Sequence, residues 1–185
     1  MEPVERRIIF VLGAPGAGKG SLCKKLASKY GFTHLSVGDL LRQVVAMPGA
    51  DGRVVEYVRR GELLPTELLF DVLRPHVDVG GTIILDGFPR QLDQAEAFEK
   101  EFQAPTLVLF FDCPRHLSEG RVIHRRQGRE GDNLETFKKR YDEFQDLNPP
   151  LLQRYEKQGK LITVDTSGFS NRSFALLVNL LQGRL

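Results

Sequence analysis

Two rhythms of apolar residues alternate along this chain. Short runs such as Thr106-Leu107-Val108-Leu109-Phe110-Phe111 are almost continuously apolar, whereas longer segments repeat apolar positions every three or four residues. The short runs predict strands at Ile8–Leu12, Thr33–Leu35, Thr82–Leu85, Thr106–Phe111 and Leu161–Val164, buried on both faces as in a parallel sheet. The longer segments predict helices near Lys19–Tyr30, Gly38–Val45, Gly52–Arg60, Thr66–His76, Leu92–Phe102, Pro114–Arg126, Asn133–Leu147, Pro150–Lys157 and Asn171–Leu181. Strands alternating with helices imply an α/β fold, a five-stranded parallel sheet with helices on both faces. Two stretches break the alternation. A block of several helical patterns lies between the second and third strands, and a polar, glycine-containing loop follows Arg125.

Length and composition narrow the picture. With 185 residues and 41% apolar content, the chain is expected to form one domain around one core. A net charge of +2 gives no global attraction for nucleic acid or an anionic membrane, so any anion site must come from local clusters. An aromatic content of 9%, mostly Phe within apolar runs, gives no platform for nucleic-acid bases. No stretch is long enough to span a bilayer. Cys23 and Cys113 lie far apart and outside any C-x-x-C pattern, which argues against a disulfide framework or a thiolate metal site. The four histidines, His34, His76, His116 and His124, show no metal-ligand spacing and are read as structural or surface residues. The cysteine usage and the absence of a secretory-type apolar region near the N-terminus set the expectation of a reducing, cytoplasmic setting.

Chemistry first enters at Gly13-Ala14-Pro15-Gly16-Ala17-Gly18-Lys19-Gly20-Ser21, between a predicted strand and a predicted helix. Glycines let successive backbone N–H groups turn toward one anion, the helix presents its positive end, and Lys19 adds a mobile charge. A glycine-rich turn that only closed a strand-to-helix connection would need neither the lysine nor three glycines. The pattern departs from the commonest phosphate loop in one respect: Gly20 stands directly after the lysine and the hydroxyl is displaced to Ser21.

Three further segments follow: His34-Leu35-Ser36-Val37-Gly38-Asp39-Leu40-Leu41-Arg42, then Asp86-Gly87-Phe88-Pro89-Arg90 with Gln94, then Gly128-Arg129-Glu130-Gly131-Asp132-Asn133 with Arg140. In this order and spacing the chain resembles the nucleoside monophosphate kinases, most closely the short-lid adenylate kinases, from about Ile8 to the C-terminus. The displaced hydroxyl at Ser21 is normal in that family. The resemblance implies a P-loop NTPase-type fold with a helical acceptor-binding insert at about residues 38–67 and a short lid at about 126–133. It also implies a monomer acting on ATP and AMP with Mg²⁺, without nucleic-acid or membrane partners.

Transfer between two nucleotides needs no general base, because the attacking phosphate oxygen is already anionic; the task is to hold two polyanions in line and neutralise charge. The resemblance assigns Lys19, Arg90, Arg125, Arg129 and Arg140 to catalysis. It assigns Gly16, Ala17, Gly18, Lys19, Gly20, Ser21, Arg121 and Gly168 to ATP, with Arg121 against the donor adenine. The acceptor AMP receives Val37, Arg42, Glu62, Leu63, Leu64, Gly87, Phe88, Pro89, Arg90, Gln94, Arg129 and Arg140. Ser21 and Asp86 are placed near a Mg²⁺ bound through phosphates and water. Asp39 reads equally well as a helix cap and stays outside the catalytic set.

Two departures bear on specificity and rate. The family's adenylate kinases carry a threonine where Val37 stands and a glutamine at Gln94, while its pyrimidine kinases carry alanine and asparagine; Gln94 favours AMP and Val37 favours neither. The lid lacks the first of two consecutive aspartates, which is Gly131 here, so that an arginine partner for closure is missing. The alternatives kept open are a UMP/CMP kinase and a catalytically weak nucleotide-binding regulatory protein.

Overall fold

The computed structural model describes residues 5–125, 128–129 and 131–185. Its chain order is β1 (Arg7–Gly13), α1 (Lys19–Tyr30), β2 (Thr33–Ser36), α2 (Val37–Ala46), α3 (Gly52–Arg60), α4 (Thr66–Val77), β3 (Thr82–Asp86), α5 (Leu92–Glu101), β4 (Leu107–Asp112), α6 (Arg115–His124), α7 (Leu134–Lys157), β5 (Leu161–Asp165) and α8 (Ser170–Leu180). The five strands form one sheet in the order β2-β3-β1-β4-β5, and every pair is parallel. This is the P-loop NTPase-type α/β fold. The predicted end of the sixth helix at Arg126, and residues Arg126, Gln127 and Glu130 of the predicted lid, lie outside the described residues.

The continuous apolar runs are explained by two cores, one on each face of the sheet. Alternate residues of β1 divide between them: Ile8, Phe10 and Leu12 pack with α2–α5 and α7, whereas Ile9 and Val11 pack with α1 and α8. Phe10 anchors the first core, with ring centroids 5.3 Å from Phe88, 5.3 Å from Phe98 and 6.1 Å from Tyr155, all edge-on. Truncating such a fully buried aromatic costs about 3–5 kcal/mol. Because β1 is central and pinned on both sides, the loop that leaves its carboxyl end is held rigidly.

Besides the single expected core, which the sheet divides in two, a helix boundary differs from expectation. The prolines at 149 and 150 predict two helices, but α7 runs unbroken for 24 residues. An interior proline costs about 3 kcal/mol, partly through the lost N–H bond to the carbonyl four residues back. Here Pro149, Pro150 and the residues of the two affected carbonyls, Gln145 and Asp146, all lie on the exposed face, where the freed oxygens are open to solvent instead of buried without a partner. The opposite face buries Phe137, Leu151 and Tyr155 almost completely, each contributing about 1.5–3 kcal/mol. Tyr155 Oη also donates to Glu99 Oε1 at 2.7 Å, tying α7 to α5.

Candidate active site

A cleft of about 520 Å³ opens along the carboxyl edge of the sheet. It lies where ligands of open α/β folds bind. One end is the glycine loop. Gly18 sits at φ +89 as the N-cap of α1 without a side-chain cap, and the first intrahelical bond runs from Leu22 N–H to Gly18 O. The N–H groups of Lys19, Gly20 and Ser21 thus precede the helical ladder at the positive end of α1. Gly16 cannot be replaced, because its φ is +80 and a Cβ would lie 2.2 Å from the Ser118 carbonyl of α6. Lys19 folds over the loop, donating from Nζ to Gly13 O and Ala14 O at 2.8 Å each. Burial lowers its pKa to about 8, against the opposing pull of Asp86.

The other end is built of arginines from four parts of the chain. Arg42 comes from α2, Arg90 from the turn after β3, Arg125 and Arg129 from the segment between α6 and α7, and Arg140 from α7; all line the cleft. Burial, reinforced by the neighbouring guanidiniums, lowers the pKa values of Arg90, Arg129 and Arg140. Among the described residues, eight cationic side chains line the cleft beside three carboxylates, Asp39, Asp86 and Glu143. On a chain of net charge +2 this is a concentrated positive field, suited to a polyanion.

Of the residues singled out from sequence, Gly16, Gly18, Lys19, Gly20, Ser21, Arg42, Asp86, Gly87, Pro89, Arg90, Arg121, Arg125, Arg129 and Arg140 face this cleft. Gly168 is joined to it indirectly: Arg121 Nη2 donates to Gly168 O at 3.1 Å and Thr166 O at 2.9 Å, which fixes the guanidinium beside the loop after β5. Ala17, Val37, Leu64 and Phe88 are buried in the packing behind the cleft, Leu63 is half-buried, and Glu62 is exposed. Gln94 is buried too, and its Oε1 accepts the Arg90 backbone N–H at 2.9 Å. It therefore sets the Arg90 backbone directly. Asp86 ends β3 and is almost fully buried, with Oδ2 3.0 Å from His34 Nε2.

Several residues of this region stand outside the site set read from the sequence. Asp39 does not cap α2; that is done by Ser36, whose Oγ accepts the Asp39 N–H. The Asp39 carboxylate instead pairs with Arg42 and, at 3.3 Å, with Arg129, bridging α2 and the segment between α6 and α7. Partial burial opposes its ionisation, but Arg42 and Arg129 together hold its carboxyl below the usual range. Asp132 pairs within the same segment: Arg125 Nε donates to its Oδ2 at 2.7 Å, and that pairing lowers its pKa. Glu143, Phe144 and Asn148 also line the cleft from the face of α7 that carries Arg140. Their spacing of three, four and eight residues from Arg140 is a helical stripe, hidden by the predicted break at the prolines.

Comparison with known proteins agrees with this geometry. The sequence model of the family described as Adenylate kinase matches residues 11–160. A UMP-CMP kinase of Prunus armeniaca is 39% identical over 171 residues, covering 90% of this chain and 74% of that protein. Adenylate kinase isoenzyme 1 of Bos taurus is 39% identical over 176 residues, covering 91% of each. UMP-CMP kinase 3 of Arabidopsis thaliana is 39% identical over 164 residues, covering 86% of this chain and 81% of the relative. No described helix is long and apolar enough to cross a membrane. With the fold, the phosphate loop and the arginine-lined cleft in place, the chain belongs to the adenylate kinase family of nucleoside monophosphate kinases.

Proposed function

We propose that this chain is an adenylate kinase, transferring a phosphoryl group reversibly from Mg·ATP to AMP to give two ADP. The observation that carries the reading is the two-ended cleft, with the Lys19 loop at one end and the buried arginine cluster at the other. The loop N–H groups and Lys19 hold the donor phosphates, Lys19 exchanging its two carbonyl partners for phosphate oxygens. Arg42 and Arg90 grip the acceptor phosphate, while Arg125, Arg129 and Arg140 surround the group in transit and neutralise charge as it moves. Arg121 and the backbone at Gly168 receive the donor adenine. Closure of the lid segment over the insert, by the bridge through Asp39, excludes water that would otherwise take the phosphoryl group.

Ser21 and Asp86 fit a hard cation: an oxygen-only pair opening on the phosphate end of the cleft. They would hold Mg²⁺ through water and nucleotide phosphates, and the ion would add charge neutralisation between the donor phosphates.

For the acceptor base, Gln94 favours AMP: with Oε1 engaged by Arg90, its amide N–H groups remain to meet a ring nitrogen of adenine. A second reading, UMP/CMP kinase, draws on Val37, which offers no hydroxyl, and on relatives bearing that name at the same 39% identity. Initial rates with AMP, UMP, CMP and GMP under saturating Mg·ATP separate the two. AMP is expected to give the highest kcat/KM; a higher value for UMP or CMP establishes the second reading, and no transfer to any acceptor leaves a nucleotide-binding protein without the activity.

A further inference from the structure

Beneath the phosphate loop, three side chains from separate elements converge: Cys23 on α1, His34 on β2 and Asp86 at the end of β3. One ligand atom from each, Sγ, a ring nitrogen and a carboxylate oxygen, lies within 4.8 Å of the other two, and His34 Nε2 is 3.0 Å from Asp86 Oδ2. Cys23 is fully buried, Asp86 is 5% exposed and the His34 side chain 11% exposed. We propose that Cys23, His34 and Asp86 form a second metal site, selective for Zn²⁺ over Mg²⁺, whose occupancy withdraws Asp86 from the cleft and inhibits the enzyme.

The ligand chemistry decides the metal. Mg²⁺ requires near-octahedral oxygen ligands, which a thiol and an imidazole do not supply, whereas sulfur, nitrogen and oxygen together suit Zn²⁺. Tetrahedral zinc with the usual bond lengths places such donors roughly 3.3–3.6 Å apart, so the His34–Asp86 contact opens slightly and the thiol swings inward by up to about 1.5 Å. Three protein ligands leave a fourth position for water. Asp86 lines the cleft, so the group is reached from the phosphate end.

Binding is balanced as follows. The Cys23 thiol releases its proton to solvent and its sulfur lone pair enters the metal bond. His34, whose Nε2–H faces the Asp86 carboxylate in the metal-free chain, passes that proton to solvent and takes one at Nδ1, so that the neutral ring offers its Nε2 lone pair; Asp86 exchanges the histidine contact for the metal. The site thus gains one net positive charge rather than two, which matters because Lys19 faces both Asp86 and Cys23. The binding claim is independent of the proposed reaction; only the inhibition rests on it.

The test uses the whole, nucleotide-free chain with Zn²⁺ or Co²⁺ as the only divalent metal. Calorimetry should give one Zn²⁺ per chain, and Co²⁺ should produce a near-ultraviolet thiolate-to-cobalt absorption with tetrahedral visible bands. Cys23→Ala should abolish the thiolate band and weaken Zn²⁺ binding by about tenfold or more, the scale on which losing one ligand of three is felt. It should also make Mg²⁺-supported activity insensitive to added Zn²⁺. His34→Asn, which keeps a side-chain N–H for Asp86, should weaken binding as well and serves if Cys23→Ala fails to fold. Cys113→Ser should leave the band intact. Absence of a thiolate band in the parent, a band lost with Cys113 instead, or Zn²⁺ affinity in the Cys23 and His34 variants equal to that of the parent would overturn the proposal.

Discussion

Replacing Lys19 by methionine should cripple phosphoryl transfer while making the ligand-free protein more stable. The ammonium is held with its pKa near 8 instead of 10.5, chiefly by burial, so its charge opposes folding at neutral pH. At about 1.4 kcal/mol per unit, the shift corresponds to roughly 3 kcal/mol as an upper bound. The lysine is only partly shielded by the open cleft, and methionine forfeits the two carbonyl bonds at 2.8 Å, each worth about 1 kcal/mol. A net gain of about 1 kcal/mol remains, equivalent to a rise in Tm of about 2–4 °C for a chain of this size. The sign fixes the pH profile. Below pH 8 the lysine is protonated in both folded and unfolded chains, and the penalty is complete. Between pH 8 and 10.5 the unfolded chain keeps the proton that the folded chain has lost, so the parent gains stability with rising pH and the advantage of the variant shrinks. Urea unfolding of both proteins at pH 7 and 9.5, beside a coupled assay, measures this. Turnover should fall at least about a hundredfold, the cost of removing one preorganised charge stabiliser. A variant less stable than the parent at pH 7, a stability gap independent of pH, or near-normal turnover would refute the reasoning.

Arg90→Ala should lower kcat by about a hundredfold or more with little loss of folded stability in thermal melts, because burial already works against this charge; unfolding with intact activity in the folded fraction would make it structural. Asp39→Asn breaks the bridge between Arg42 and Arg129 and should alter the acceptor KM by up to about fivefold, the scale of a partly exposed ion pair, with kcat changed less. In the parent that bridge is present above the ordinary carboxylate pKa and is lost as pH falls through the lowered pKa of Asp39, so acceptor KM of parent and variant should converge only in acid. Gly131→Asp should not repair the lid: at φ +92, with the Thr136 methyl 3.2 Å from an added Cβ, the change should cost about 1 kcal/mol in urea unfolding and leave the affinity of a bisubstrate analogue no tighter.

The structure thus revises the reading of Gly131, whose backbone conformation explains a missing carboxylate that sequence presents as a defect. Elsewhere the legible parts are those where local chemistry suffices. The apolar runs of β1 and β4 and the glycine loop need only nearest neighbours to be recognised. The cleft arginines came from motif positions, because a guanidinium on a helix says nothing alone about whether it meets solvent or an anion. What stayed hidden depends on tertiary placement. The prolines of α7 break a helix in isolation, yet they fall on the wet face of one whose other face is anchored by Leu151 and Tyr155. Once that helix is continuous, Glu143 and Asn148 join Arg140 along the cleft. Asp39 caps nothing and bridges two arginines, and Cys23, His34 and Asp86 meet only because α1, β2 and β3 are packed together.

The central claim, transfer between two nucleotides in one closed cleft, is tested most directly by following ATP, AMP and Mg²⁺ with the enzyme by ³¹P NMR. The account predicts two ADP formed for each AMP consumed, with inorganic phosphate absent while transfer proceeds. Release of phosphate without matching loss of AMP, or an unchanged spectrum with enzyme that still binds both nucleotides, would contradict it.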